Sequence, residues 1–172
     1  MKPLREYPAT PLAWVQPAAL NHAYELRAAD VVCATLDWTK GLGSPASATS
    51  ASGSWSVARE GFVRPRVAIR AADAKDDAAF FEPGWLGGGD LTLAGGARLH
   101  LVPANLWRSE WRLAAPKGPP LLRLMPDTGL VRTTARLEIT PEGAKMPELE
   151  PLVLLTWSVL VLMEDDLAVF GV

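Results

Sequence analysis

Chemistry-bearing side chains are scarce in this chain: among 172 residues, Cys33 is the one cysteine, and His22 and His100 are the two histidines. A lone cysteine closes no internal disulfide, which favours a reducing compartment. With no histidine pattern beside it, Cys33 reads as a small filler, placed by alternation opposite Leu36 and Trp38. Long apolar runs are missing too. The greasiest stretch, Leu152 to Met163, has twelve residues, about 18 Å as a helix, where a bilayer crossing needs roughly 20 residues. No transmembrane segment is therefore expected. The opening residues carry Pro3, Pro8 and Pro11 with an acid, Glu6, among the bases. An export signal would need an unbroken apolar helix there, so a cytoplasmic location is expected.

Strong net charge is lacking as well. The formal value of −2 supplies no field toward nucleic acid, which is not expected as a partner. Phosphate and calcium loops are also missing. Gly87 to Gly89 precede Asp90 without the lysine of a phosphate loop, and Asp73, Asp76 and Asp77 lack the glycine and terminal glutamate of a calcium loop. These three acids read as a solvated turn. His100 falls on the Arg98 face of its strand, pointing outward, with no catalytic signature around it. No catalytic residue, metal or cofactor is assigned, and the chain reads as non-enzymatic.

What is present is alternation. Short strands separated by turn residues run from Leu12 to Thr140 at fairly even spacing, the mark of an all-β barrel or sandwich. Tyr24, Leu26 and Ala28 share one face, as do Val32, Ala34, Leu36 and Trp38. Further on, Pro65, Val67, Ile69 and Ala71 point one way, and Arg64, Arg66 and Arg70 the other. Trp107, Ser109, Trp111 and Leu113 form another inward row, opposite Arg108, Glu110 and Arg112. Trp55 joins that inner phase, whereas Trp14 and Trp85 fall in less regular segments, where burial and an exposed ligand or partner surface both stay open. Gly95-Gly96 and Asp127-Thr-Gly129 are hairpin signals. About twelve strands without intervening helices should pair antiparallel, and a sheet that wide closes on itself and loses its edges.

The run Leu152 to Met163 is apolar on every side of a helix, so it must be surrounded by apolar material. Pro151 suits a first helical turn, and Glu148 and Glu150 suit its positive end. A helix over about 147–164 is expected through the barrel's centre, ended by Glu164-Asp165-Asp166 in solvent and followed by a short apolar tail from Leu167. The fold expected is thus mainly β, one domain over residues 1–172, a closed antiparallel barrel threaded by a C-terminal hydrophobic helix.

That order resembles the tubby C-terminal superfamily, in particular its LURP-one-related and phospholipid-scramblase-like small members. The resemblance spans about Tyr24 to Met163. It is carried by the hairpin Gly53-Ser-Trp55-Ser-Val57-Ala-Arg59-Glu-Gly61-Phe62, by the Trp107–Leu113 segment before the Gly118 turn, and by the terminal helix introduced by Pro-Glu-Leu. It implies a barrel around the helix and a binding or scaffold role, with phosphoinositide recognition by basic residues in tubby proteins. Departures limit the transfer. There is no acidic calcium loop, cysteine-rich palmitoylation segment or proline-rich arm, so scramblase activity is not carried over.

The residues themselves add one signal. Between residues 59 and 136 there are twelve bases and eight acids, a balance of +4, while residues 137–172 hold one base and seven acids, or −6. Strand arginines alternating outward, with Arg64, Arg66, Arg70, Arg108 and Arg112 foremost and Arg98, Arg123, Arg132 and Arg136 beside them, suit bidentate contact with phosphate or carboxylate. They point to an anionic phospholipid headgroup or an acidic protein surface as partner. The plainer alternative is that they keep the barrel soluble and pair with Glu60, Glu110 and Glu138. Two further readings stay open: a membrane-associated protein inserting its apolar C-terminal segment, and a small-molecule carrier barrel, which the helix would fill.

Overall fold

A computed structural model describes residues 1–7, 10–19, 21–85, 87–128 and 133–170. Arg132, Gly129 and the last two residues of the tail lie outside them. Twelve strands follow a short 3-10 turn at Leu4–Glu6: β1 (Leu12–Val15), β2 (Ala23–Ala28), β3 (Val31–Asp37), β4 (Ala46–Ser50), β5 (Gly53–Glu60), β6 (Arg66–Ala71), β7 (Ala79–Pro83), β8 (Gly89–Leu93), β9 (Arg98–Pro103), β10 (Trp111–Ala114), β11 (Pro120–Thr128) and β12 (Thr133–Ile139). A second 3-10 turn, Gly143–Lys145, leads into helix α1 (Leu149–Phe170).

Each strand pairs antiparallel with its sequence neighbours, and β1 pairs with β12 through Leu12 opposite Leu137, closing the barrel. The alternation read from the sequence is what closes it. Tyr24, Leu26, Leu36, Ile69, Leu91, Leu101, Leu113 and Leu124 all turn inward and are buried. They meet α1, whose residues 151–162 are buried on every side. Thr156 and Ser158 lie in this apolar interior and donate their hydroxyls to the carbonyls of Leu152 (2.6 Å) and Leu154 (2.8 Å), one turn back. The expected closed barrel with a helix through its centre is the observed architecture.

Three local expectations are corrected. Glu164 to Asp166 do not end the helix, which continues to Phe170; they mark where α1 leaves the barrel, since backbone hydrogen bonding does not depend on burial. Trp107 is exposed where an inward position was expected, and Trp14, whose placement was open, is fully buried on β1. Trp107 lies before β10, in a turn that Asn105 staples by accepting from the Ser109 amide (3.1 Å), and Arg108 takes a left-handed φ of 54° there. Cys33 faces the core rather than away from Leu36. A bulge between Leu26 and Arg27 in the β2–β3 pairing leaves it the extra residue, and it is fully buried.

The antiparallel order also sorts the connections. Those joining β1–β2, β3–β4, β5–β6, β7–β8, β9–β10 and β11–β12 lie at one end of the barrel. The helix enters at the opposite end, where the backbone of Gly143 abuts Leu121 at the start of β11. It emerges among the β5–β6 and β9–β10 turns: Arg59 of β5 holds Asp166 through two hydrogen bonds of 3.1 Å.

Candidate functional site

The five arginines singled out by alternation fall into two groups. Arg66 and Arg70 stand on the outer face of β6, over Ala68 and Phe80, with the Arg66 guanidinium 4.8 Å from the Phe80 ring. Both are held by acids. Arg66 donates to Glu60 (2.9 Å) and Asp77 (3.0 Å), and Arg70 donates to Asp77 (3.0 Å) and Glu60 (3.3 Å). The hydrogen bonds that Arg70 donates to Asp77, with that carboxylate's charge, raise the Arg70 pKa above the usual guanidinium value. Two positive and two negative groups cancel here, so the cluster reads as a neutral clasp between β5, β6 and the β6–β7 turn. Arg112 on β10 is likewise engaged, donating to Glu110 at 2.8 Å. It stands four strands from β6, roughly 19 Å at the spacing of adjacent strands.

Arg64 and Arg108 differ from these three. Arg64 is not on a strand but exposed in the β5–β6 turn, where Gly61 (φ 82°) is required because a side chain at 61 would collide with the Arg64 carbonyl. Arg108 sits in the β9–β10 turn and lays its guanidinium over Gly87 of the β7–β8 turn: a Cβ at 87 would lie 2.7 Å from Arg108 Nη2. Among the described residues neither makes an ion pair with an acid. Both turns are at the end where α1 emerges, about four strands apart around its rim; what distinguishes Arg64 and Arg108 from Arg66, Arg70 and Arg112 is that those three are held by acids.

That end has a feature the alternation did not show. Phe62 and Val63 in the β5–β6 turn, Trp85 in the β7–β8 turn, and Leu106 and Trp107 in the β9–β10 turn are all exposed. Phe62 and Trp85 are as open as in an isolated peptide, at 103% and 104%. The signal available in the sequence was apolar residues inside glycine- and proline-rich turns, where burial gives them no reason to be. Below them runs a cleft of about 340 Å³ beside the emerging helix, lined by Trp107, Arg108, Trp111, Leu160, Met163 and Glu164 among others. Burial raises the pKa of Glu164 above the usual carboxylate value.

His100 Nδ1 lies 2.7 Å from Asp90 Oδ1 on the barrel's outside, joining β8 to β9. No helix among the described residues is long and apolar enough to cross a membrane, and no group of three or more His, Cys, Asp or Glu among them is placed to hold a metal ion. Comparison with family models, curated proteins and solved structures finds no match.

Proposed function

We propose that the chain is a tubby-like, non-enzymatic binding module that meets anionic phospholipid headgroups with Arg64 and Arg108 at one end of its barrel. One observation carries this reading: of the five arginines, these two make no ion pair with an acid among the described residues, and they share an end. An unengaged guanidinium keeps its donor fork for phosphate, whereas Arg66 and Arg70 would first have to give up Glu60 and Asp77. The helix occupies the interior in which a carrier would hold its ligand. A role in which α1 itself enters lipid would require emptying the core.

Co-sedimentation with phosphatidylcholine vesicles, with and without phosphatidylglycerol, tests the proposal. Binding is expected only to the anionic vesicles, weakening as salt rises. Arg64→Gln should reduce it, and Arg66→Gln should leave it nearly unchanged. Binding indifferent to lipid charge and salt would overturn the reading, and salt-sensitive binding of an acidic protein in place of vesicles would give the site to a protein partner.

A further inference from the structure

Three neighbouring connections, at residues 61–65, 84–88 and 104–110, belong to the strands β5 to β10, half of the barrel's circumference. Each presents a bulky apolar side chain to solvent: Phe62 and Val63, Trp85, and Leu106 and Trp107. Exposure near 100% for Phe62, Trp85 and Leu106 means that these side chains rest neither on the barrel nor on one another. They are separate knobs rather than a preformed patch.

A structured protein partner needs a contiguous, shape-matched surface with a packed centre. A fluid lipid interface does not; it accepts isolated apolar side chains without complementarity. The residue types agree with the second. Tryptophan sits favourably at headgroup depth, and apolar side chains next to arginine are the pattern of surfaces lying in the interface. Charge divides by position: the three turns carry Arg64, Arg108 and Glu110, with Glu110 held by Arg112, while the acids Glu164, Asp165 and Asp166 sit behind the tips where α1 emerges, Asp166 held by Arg59. The platform is also firm. The β7–β8 turn is closed by Gly84 N–H to Gly88 O at 2.7 Å, Asn105 staples the β9–β10 turn through the Ser109 amide and hydroxyl, and Arg108 packs one turn on the other.

From this we infer that the β5–β6, β7–β8 and β9–β10 turns insert their apolar tips into the headgroup–acyl boundary of a membrane, docking the barrel end-on with the mouth of the helix toward lipid. This rests on the anionic-surface reading above and adds penetration to it: arginine contact alone would leave the tips in water.

Vesicles of phosphatidylcholine and phosphatidylglycerol with brominated acyl chains test it, because bromine quenches only tryptophans that reach the acyl region. Quenching of the wild-type emission is expected, and it should vanish in a Trp85→Phe/Trp107→Phe variant that still sediments with the vesicles. Replacing both tryptophans by alanine should weaken partitioning by about tenfold or more. The melting temperature should stay unchanged, since neither side chain is packed. Sedimentation without quenching would overturn insertion and leave the headgroup reading standing. Failure to sediment with any vesicle would remove both. Quenching that survives the double replacement would assign insertion to another part of the chain and overturn this one. Self-association in solution abolished by the alanine variant would make the tips a protein interface, which overturns insertion as well.

Discussion

The indole of Trp14, on β1, lies against that of Trp157, in the central helix, with ring centroids 5.7 Å apart and planes 9° from parallel. Tyr24 meets the same Trp157 edge-on at 5.6 Å. This contact ties the closing strand of the barrel to the element that fills it. Trp157→Ala is expected to cost about 3–5 kcal/mol, much of the typical stability of a domain, and to give a loosened barrel in urea unfolding with lost near-ultraviolet circular dichroism. The Nε1–H of both indoles is buried without a hydrogen-bond partner among the described residues. Trp14→Phe, which removes one such donor, should therefore cost distinctly less than Trp14→Ala.

Glu150 fastens the other end of the helix. Its carboxylate accepts from the amide of Leu4 (3.2 Å) and the amide of Ser52 (2.7 Å), joining the N-terminal segment and the β4–β5 turn to the first turn of α1. Burial by itself would raise its pKa, but hydrogen bonds from the Ser50 and Ser52 hydroxyls and from those two amides outweigh it and hold the value below the usual range. An acid whose pKa falls on folding adds stability above its unfolded value, and that stability disappears as pH drops through the native value. Glu150→Ala should cost about 2–4 kcal/mol at neutral pH, because two amides lose their acceptor and the helix dipole loses its anion. The gap between variant and wild type should shrink below about pH 4, as unfolding in urea across pH would show.

Glu164 behaves in the opposite sense. Burial beside the mouth of the barrel raises its pKa, so its ionised form works against the fold. The penalty is full above the native pKa and is relieved as pH falls toward the unfolded value. Glu164→Gln should raise the melting temperature at neutral pH, modestly because the carboxyl is partly exposed to solvent. The advantage should narrow as the buffer is acidified, and a variant that melts lower at neutral pH would contradict it.

Gly143 sets the approach of the helix to the wall. A Cβ at this position would collide with the carbonyl oxygen of Leu121, a backbone atom that cannot swing away. Its amide donates to the Thr140 hydroxyl at 3.1 Å, and that hydroxyl donates in turn to the Pro120 carbonyl at 2.7 Å. Gly143→Ala should destabilise by about 2 kcal/mol or more through displaced backbone, while Gly95→Ala, where a Cβ would meet nothing within 4 Å, should be nearly silent in the same thermal melt.

Much of the architecture was legible because a single pattern wrote it. Inward positions such as Leu26, Leu36, Ile69 and Leu113 repeat every second residue, and only Leu152 to Met163 is apolar on all sides. Where alternation and turn chemistry competed, alternation misled. Trp107 keeps the phase of Trp111, yet Asn105 binds its own turn and the strand starts later. Trp14 looked irregular because a four-residue strand carries too little pattern to show its phase. The arginine row was read correctly as outward on β6, but its partner Asp77 belongs to an acidic turn that sequence spacing places seven residues from Arg70. Only the topology brings that turn against the row. The exposed tips escaped alternation for the converse reason: periodicity ranks residues by phase, a turn has none, and only the apolar residues inside glycine- and proline-rich turns pointed to them.

The order of synthesis follows from the helix coming after every strand in the chain. On the ribosome, all twelve strands emerge before the segment that supplies their interior, so the newborn wall has nothing to condense upon. Its first and last strands, whose pairing sets Leu12 against Leu137, must find one another across nearly the whole polypeptide, a slow kind of closure. Until α1 arrives, the nascent sheet carries its greasy face unprotected, and the cell must shield it or risk clumping.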